Sequence, residues 1–308
     1  MGRARGAVER SSGPLQADGP IDDDSASDAG FTSGAWQPSP IDGRRAPTIP
    51  PVTGLVVASC AVLGLAVGSF LNVVIHRVPR RESVVTPRSR CPGCETELAA
   101  RDNIPVLSWV LLRARCGTCG MRISVRYPLV EVACAALFAA MALRFPDEWS
   151  LPAFLVLAAA CLAGTVIDIE HMLLPNRLVF PSLYLAAGLL VPAAAIEGDW
   201  SRLGRAALGA VLASGALLVL ALAKAGAMGG GDVKLALLLG LCLGWIGLDH
   251  VALGLFLGFL LGSVVGVALV VARARTLKQH FAFGPFLAAG TLLAVWWGEQ
   301  ILDWYVGR

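Results

Sequence analysis

Two acids and four cysteines carry most of the chemistry this sequence offers. Asp232 follows three consecutive glycines in Gly226-Ala227-Met228-Gly229-Gly230-Gly231-Asp232-Val233-Lys234, a stretch set between long apolar runs. Glycine reaches backbone conformations closed to other residues and lets another chain approach closely. An ionisable group at the edge of a membrane segment is a candidate functional residue. Asp is also a good helix N-cap, and Val233 opens an apolar run, so a cap and a catalyst are both open to Asp232. Asp168 closes another apolar run, 64 residues earlier, in Val166-Ile167-Asp168-Ile169-Glu170-His171-Met172-Leu173-Leu174-Pro175-Asn176. There it is either a carboxylate solvated at a membrane boundary or half of a catalytic pair. Two carboxylates brought together do not both ionise easily, and one keeps a proton. The ionised member can activate water while the other protonates a peptide carbonyl, which is aspartic-protease chemistry. Glu170 and His171 lie beyond the apolar run and read as solvated.

The cysteines form a second constellation. Cys91-Pro92-Gly93-Cys94 and Cys116-Gly117-Thr118-Cys119 are two C-x-x-C knuckles separated by 21 residues. Paired knuckles with a glycine in each are the pattern of a structural four-cysteine zinc site. The alternative, a pair of redox dithiols, fits a reducing compartment less well. Zinc would fold a small insert that lacks the apolar residues for a core of its own. Cys60, Cys134, Cys161 and Cys242 fall in apolar runs and read as small buried hydrophobes.

Composition says what must position these groups. The chain has 308 residues, is 56% hydrophobic and only 15% charged, with a mean hydropathy of +0.68. A soluble domain is about a quarter charged, and several windows here approach the roughly 20 apolar residues that cross a bilayer. The expected fold class is an all-α polytopic membrane protein with about eight transmembrane helices and a small cytoplasmic zinc-binding insert. Spans are expected near Val52–Ile75, Leu129–Leu143, Leu151–Ile167, Leu178–Ile196, Ala206–Ala223, Val233–Leu248, Val251–Ala272 and Phe283–Leu302. Residues 1–50, rich in Ser, Gly, Pro and Asp, read as a disordered tail. The first span occupies 51–75, the polar insert 76–127, and the remaining seven spans 128–308. Ser69 and Asn72, on adjacent turns of the first span, are placed to hydrogen-bond a neighbouring helix.

The insert carries ten arginines against four acids. The positive-inside rule therefore puts it in the cytoplasm. With eight spans, Asp168 and Asp232 then share that cytoplasmic face, both at the membrane boundary, and both termini lie outside. Glu131, just inside the second span, needs a partner at that depth; Arg126 and the acid pair are the candidates.

These features together resemble a known family. Gly229-Gly230-Gly231-Asp232, with a second acid ending an earlier helix, is similar to the GxGD intramembrane aspartic proteases. Within that group the chain resembles the type IV prepilin peptidases, the leader peptidase/N-methyltransferases. The likeness covers roughly 52–300. It includes Gly68–Pro79, the two C-x-x-C pairs, Arg126-Tyr127-Pro128-Leu129-Val130-Glu131, Asp168 followed by Leu174-Pro175, Gly229–Lys234, and Phe283-Gly284-Pro285-Phe286. The resemblance implies an aspartic endopeptidase of the bacterial inner membrane, with its active site facing the cytoplasm. It would cleave the basic leader of prepilins or pseudopilins. Asp168 and Asp232 would be the catalytic pair, and Cys91, Cys94, Cys116 and Cys119 would bind zinc. It further implies methylation of the new N-terminus from S-adenosylmethionine. Ala114, in the segment associated with methyl transfer, stands where many relatives have glycine. No glycine-rich strand-turn-helix marks a separate methyltransferase domain. The partners implied are prepilin substrates and the lipid bilayer, with no nucleic acid. The competing reading of the same two acids is an ion-coupled transporter.

Overall fold

The computed structural model describes residues 51–308 apart from 87, 92, 98–103, 147, 224–227, 273–281 and 308. The expected 1–50 tail lies outside the described residues, as do Lys224 and the basic residues Arg273, Arg275 and Lys278. Eight long helices and one short one make up nearly all of the described chain, and no strand occurs among the described residues. They are α1 (Pro51–Arg77), α2 (Leu107–Leu111), α3 (Arg126–Arg144), α4 (Leu151–His171), α5 (Asn176–Glu197), α6 (Trp200–Ala223), α7 (Gly230–Ile246), α8 (Leu248–Val271) and α9 (Gly284–Val306).

Each long helix falls on one of the eight expected spans. Six of them, α1, α3, α4, α5, α6 and α8, are long and apolar enough to cross a membrane, so the chain is a multi-pass membrane protein. The other two depart for identifiable reasons. α7 has 17 residues, about 26 Å at 1.5 Å per residue, slightly less than the ~30 Å hydrocarbon core. α9 is diluted by Trp296-Trp297-Gly298-Glu299-Gln300.

Two expected outer loops shrink to turns. α6 starts at Trp200 because Gly198 takes the left-handed conformation (φ 70°) that ends α5, and Asp199 Oδ1 accepts hydrogen bonds from the amides of Ser201 and Arg202. α8 starts at Leu248, directly after Gly247, which places Asp249 and His250 in its first turn rather than in a loop.

Small residues set the packing, as expected where lipid offers no hydrophobic drive between helices. A Cβ on Gly68 of α1 would lie 2.7 Å from Glu131 Cα of α3. One on Gly240 of α7 would lie 2.3 Å from the Gly209 carbonyl oxygen of α6. The expected polar contact of α1 is present: Asn72 Nδ2 donates to the Tyr127 carbonyl of α3 at 3.1 Å. α4 and α7 are the most enclosed helices. Phe154, Leu157 and Ile167 of α4, and Leu238, Leu239 and Trp245 of α7, are fully buried.

Candidate active site and metal centre

Asp168 sits in the last turn of α4, and Asp232 in the first turn of α7. Both are buried, at 5% and 7% exposure, and their side chains lie within electrostatic reach of each other. The cap reading of Asp232 is corrected. The N-cap of α7 is Gly229, in extended conformation, and no side chain caps the helix. The helix begins two residues before the acid because the glycines themselves enter it. Asp232 sits three residues past that cap, and its carboxylate reaches back to the Gly229 amide.

Asp168 is held from a third helix. The amide of Gly284, the first residue of α9, donates to Asp168 Oδ2 at 3.0 Å. A helix N-terminus has unpaired amides and a positive dipole end, so it favours a carboxylate there. Pro285 follows inside the first turn, where its missing N–H costs nothing. A Cβ on Gly284 would stand 2.8 Å from that same oxygen, so any larger residue would push the acid or the helix away.

Leu174 completes the corner. α4 ends on Met172 in the left-handed conformation (φ 52°), with the Met172 amide bonded back to the Asp168 carbonyl. The chain then turns so that Leu174 fills the space left by three glycines. Cβ atoms on Gly164, Gly231 and Gly284 would lie 3.3, 2.9 and 3.2 Å from Leu174 atoms. Gly231 therefore brings α7 against the α4–α5 turn, and that contact sets the two acids together. On the rim, Lys234 Nζ donates to Asn176 Oδ1 at 3.0 Å, tying α7 to the start of α5.

The four cysteines also come together. The sulfurs of Cys91, Cys94, Cys116 and Cys119 lie within 4.8 Å of one another and could hold one metal ion. The two knuckles repeat one geometry. In each, the first cysteine's amide bonds a carbonyl five residues on (Thr96 for Cys91, Met121 for Cys116). In each, the residue after the second cysteine takes positive φ (Glu95 55°, Gly120 71°). Short bridges pair Arg90 with Glu97 and Arg115 with Arg122. Amides aimed at sulfur favour the thiolate. Those of Cys119 and Thr118 are the main cause that lowers the Cys116 thiol to about 6. Cys119 receives the Met121 amide, yet burial and the neighbouring sulfurs push it up to about 11. Sulfurs with amides turned to them are ones a divalent cation can bind as thiolates.

Several partners have no signal in the sequence. Glu131 pairs with neither Arg126 nor the two acids. Its Oε2 accepts the Val106 amide of the insert at 2.7 Å, and the Ser69 hydroxyl also bonds it. Arg126 instead pairs with Glu170, at 2.6 Å, so Glu170 is an ion-pair partner as well as a half-exposed acid. The distance in sequence, 25 residues from Val106 to Glu131 and 44 from Arg126 to Glu170, leaves no local signal for either.

The fold and site define a helical multi-pass membrane protein with a buried acid pair at one end of the bundle and a four-thiol cluster in an adjoining insert. Comparison with known proteins agrees with that class. The bacterial peptidase A24 N-terminal domain profile matches residues 62–145, and the type IV leader peptidase family profile matches 155–271. The chain is 38% identical over 282 residues to the prepilin leader peptidase/N-methyltransferase of Stutzerimonas stutzeri, covering 82% of this chain and 94% of that one. It is 35% identical over 246 residues to the protein of the same name from Bacillus subtilis, covering 80% and 96%. No solved structure matches the chain. The chain belongs to the type IV leader peptidase family.

Proposed function

We propose that Asp168 and Asp232 are the catalytic pair of an aspartic endopeptidase that removes the basic leader of prepilins or pseudopilins. The observation that carries this reading is the convergence of two buried carboxylates from α4 and α7 beneath the N-terminus of α9, in a chain of this family. With one proton shared by the pair, the ionised carboxylate takes a proton from water as the water oxygen bonds the scissile carbonyl carbon. The protonated carboxyl gives its proton to the carbonyl oxygen. Collapse of the tetrahedral intermediate breaks the C–N bond, and the new amine leaves with a proton from the pair. The Gly284 amide fixes the orientation of the Asp168 carboxylate throughout. The glycines beside Asp232 leave room for a substrate backbone.

The insert's arginines support a cytoplasmic position for it, and with it for the acid end of the bundle, at the inner membrane. A substrate helix held in that bilayer presents its polar boundary at the depth of the acids. The cysteine cluster suits zinc: four thiols at tetrahedral-site spacing, with amides turned to the sulfurs and a cytoplasmic, reducing setting. Bound there, zinc would hold the two knuckles together and take no part in hydrolysis. The relatives' second activity suggests that this chain also methylates the new N-terminus, with S-adenosylmethionine supplying the methyl group. No glycine-rich strand-turn-helix occurs among the described residues, so the donor is assigned no binding residues and no step is drawn through it.

The ion-coupled transporter reading is not supported. Both acids stand at helix ends rather than at midplane breaks, and the chain belongs to a peptidase family. In membranes that hold each variant at the parental level, Asp168→Ala and Asp232→Ala should each abolish leader removal. A variant that still processes prepilin would remove that residue from the mechanism.

A further inference from the structure

The short helix α2 faces outward with its apolar side. Leu107, Val110 and Leu111 are 51%, 57% and 71% exposed, and at spacings of three and four residues they share one helix face. Ile104, three residues earlier, extends that face and is also exposed. The opposite side is committed to the insert. Trp109 Nε1 donates to the Ile123 carbonyl at 3.3 Å, and the Trp109 carbonyl accepts the Ala114 amide at 2.8 Å. Leu112 lies over Gly117. A polar, arginine-rich insert therefore packs Trp109 and Leu112 inward and turns Leu107, Val110 and Leu111 outward.

Two observations say what covers them. The first is depth. The N-cap of α2, Val106, is bonded through its amide to Glu131 Oε2. Glu131 lies five residues into α3, about 7.5 Å along that helix at 1.5 Å per residue. The residues flanking it in sequence on the outer face of α3, Leu129 and Val132, are exposed and belong to the apolar surface of a membrane-spanning helix. α2 thus begins level with the first turns of a span, where amphipathic helices sit, about 5–10 Å into the headgroup boundary. The second is charge. Arg113, Arg115 and Arg122 are exposed beside α2, and cations on the rim of an apolar face suit anionic headgroups.

We propose that α2 is an interfacial anchor that seats the cysteine insert in the headgroup layer of an anionic bilayer. Leu107, Val110 and Leu111 enter the acyl boundary, Arg113, Arg115 and Arg122 meet lipid phosphates, and the Glu131–Val106 hydrogen bond fixes the depth. The seat is a property of the insert and does not depend on the peptidase reading.

The test uses the full chain in nanodiscs of mixed phosphatidylglycerol and phosphatidylcholine. A photo-reactive phenylalanine derivative is placed in turn at Val110, at Leu111 and, as control, at Thr118 on the far knuckle. Metal content equal to the parent's certifies that each insert is folded. The expected result is lipid adducts at Val110 and Leu111 several-fold above those at Thr118. Their yield should fall in pure phosphatidylcholine discs and with Arg113→Gln/Arg115→Gln/Arg122→Gln. Adducts no more frequent than at Thr118, or equal in both lipid mixtures, overturn the proposal. Adducts to an added prepilin helix or to residues 1–50 in place of lipid overturn it as well.

Discussion

At the residue scale the site depends on what glycine leaves out. Gly284 gives Asp168 a backbone amide at 3.0 Å, and a Cβ there would crowd the same oxygen. Gly284→Ala should therefore change the distance between the carboxylate and the start of α9. A misplacement on the order of 1 Å costs about a hundredfold in rate. The expected outcome is that loss in kcat for leader cleavage, with thermal unfolding close to the parent's; unchanged kcat would mean that the open space at Gly284 does not set the position of the acid. The two acids themselves are legible in the sequence, because an ionisable residue closing or opening an apolar run is conspicuous. Their setting is less so. Phe283-Gly284-Pro285-Phe286 can be read as a motif, but its role as a donor to an acid 116 residues away is a tertiary fact. Leu174 shows the same limit: its fit against Gly164, Gly231 and Gly284 exists only after three helices meet.

At the element scale the cysteine insert is the most legible part of the fold, since the knuckle spacing alone names the four cysteines that come together. Its strained backbone is not. Arg113 and Ala114 both take positive φ, at 50° and 59°, a conformation that suits glycine and costs other residues roughly 1–2 kcal/mol. Ala114→Gly should stabilise the insert by about 1 kcal/mol once the added freedom of the unfolded chain is set against the relieved strain. Thermal unfolding of the metal-bound protein checks this, and a lowered melting temperature would contradict it. Metal retention has a pH dependence whose sign follows from the thiols. A group with a depressed folded-state pKa contributes stability above its unfolded value, and that contribution is lost as pH falls through the folded one. Protons compete with the metal for the thiolates, so metal analysis should show about one zinc per chain near neutral pH, as a four-thiolate site requires, declining as the buffer is acidified. Cys116→Ser should show early loss, and a metal content that ignores both pH and that substitution would contradict the assignment. Among the membrane helices, existence and order were readable from hydropathy. The ends of α6, α7 and α8 were not, because they are set by Gly198 with Asp199, by Gly229, and by Gly247, where apolar character changes little.

At the scale of the whole molecule, both acids, the insert and the N-terminus of α9 gather at one end of the bundle. Asn72 with Tyr127, Arg126 with Glu170, and Arg177 with the Arg81 carbonyl lie at this same end. At the other end Arg144 pairs with Glu299, and Arg202 with Glu197. The order of eight spans already implies which loops share an end, although the inter-helix pairs that fasten each end are invisible in sequence. If the arginine-rich insert is cytoplasmic, alkaline phosphatase fused within residues 76–127 should be inactive and the same reporter fused after Arg308 active. The reverse pattern would turn the molecule over and place the acids on the outer side. Cleavage of prepilin leaders by Asp168 and Asp232 at this end of the bundle is tested most directly by mass spectrometry of a prepilin co-expressed with the chain. The expected result is a single product shortened by the leader, gone with Asp168→Asn and with Asp232→Asn. A full-length prepilin beside the intact chain, or a shortened one beside either variant, would contradict it.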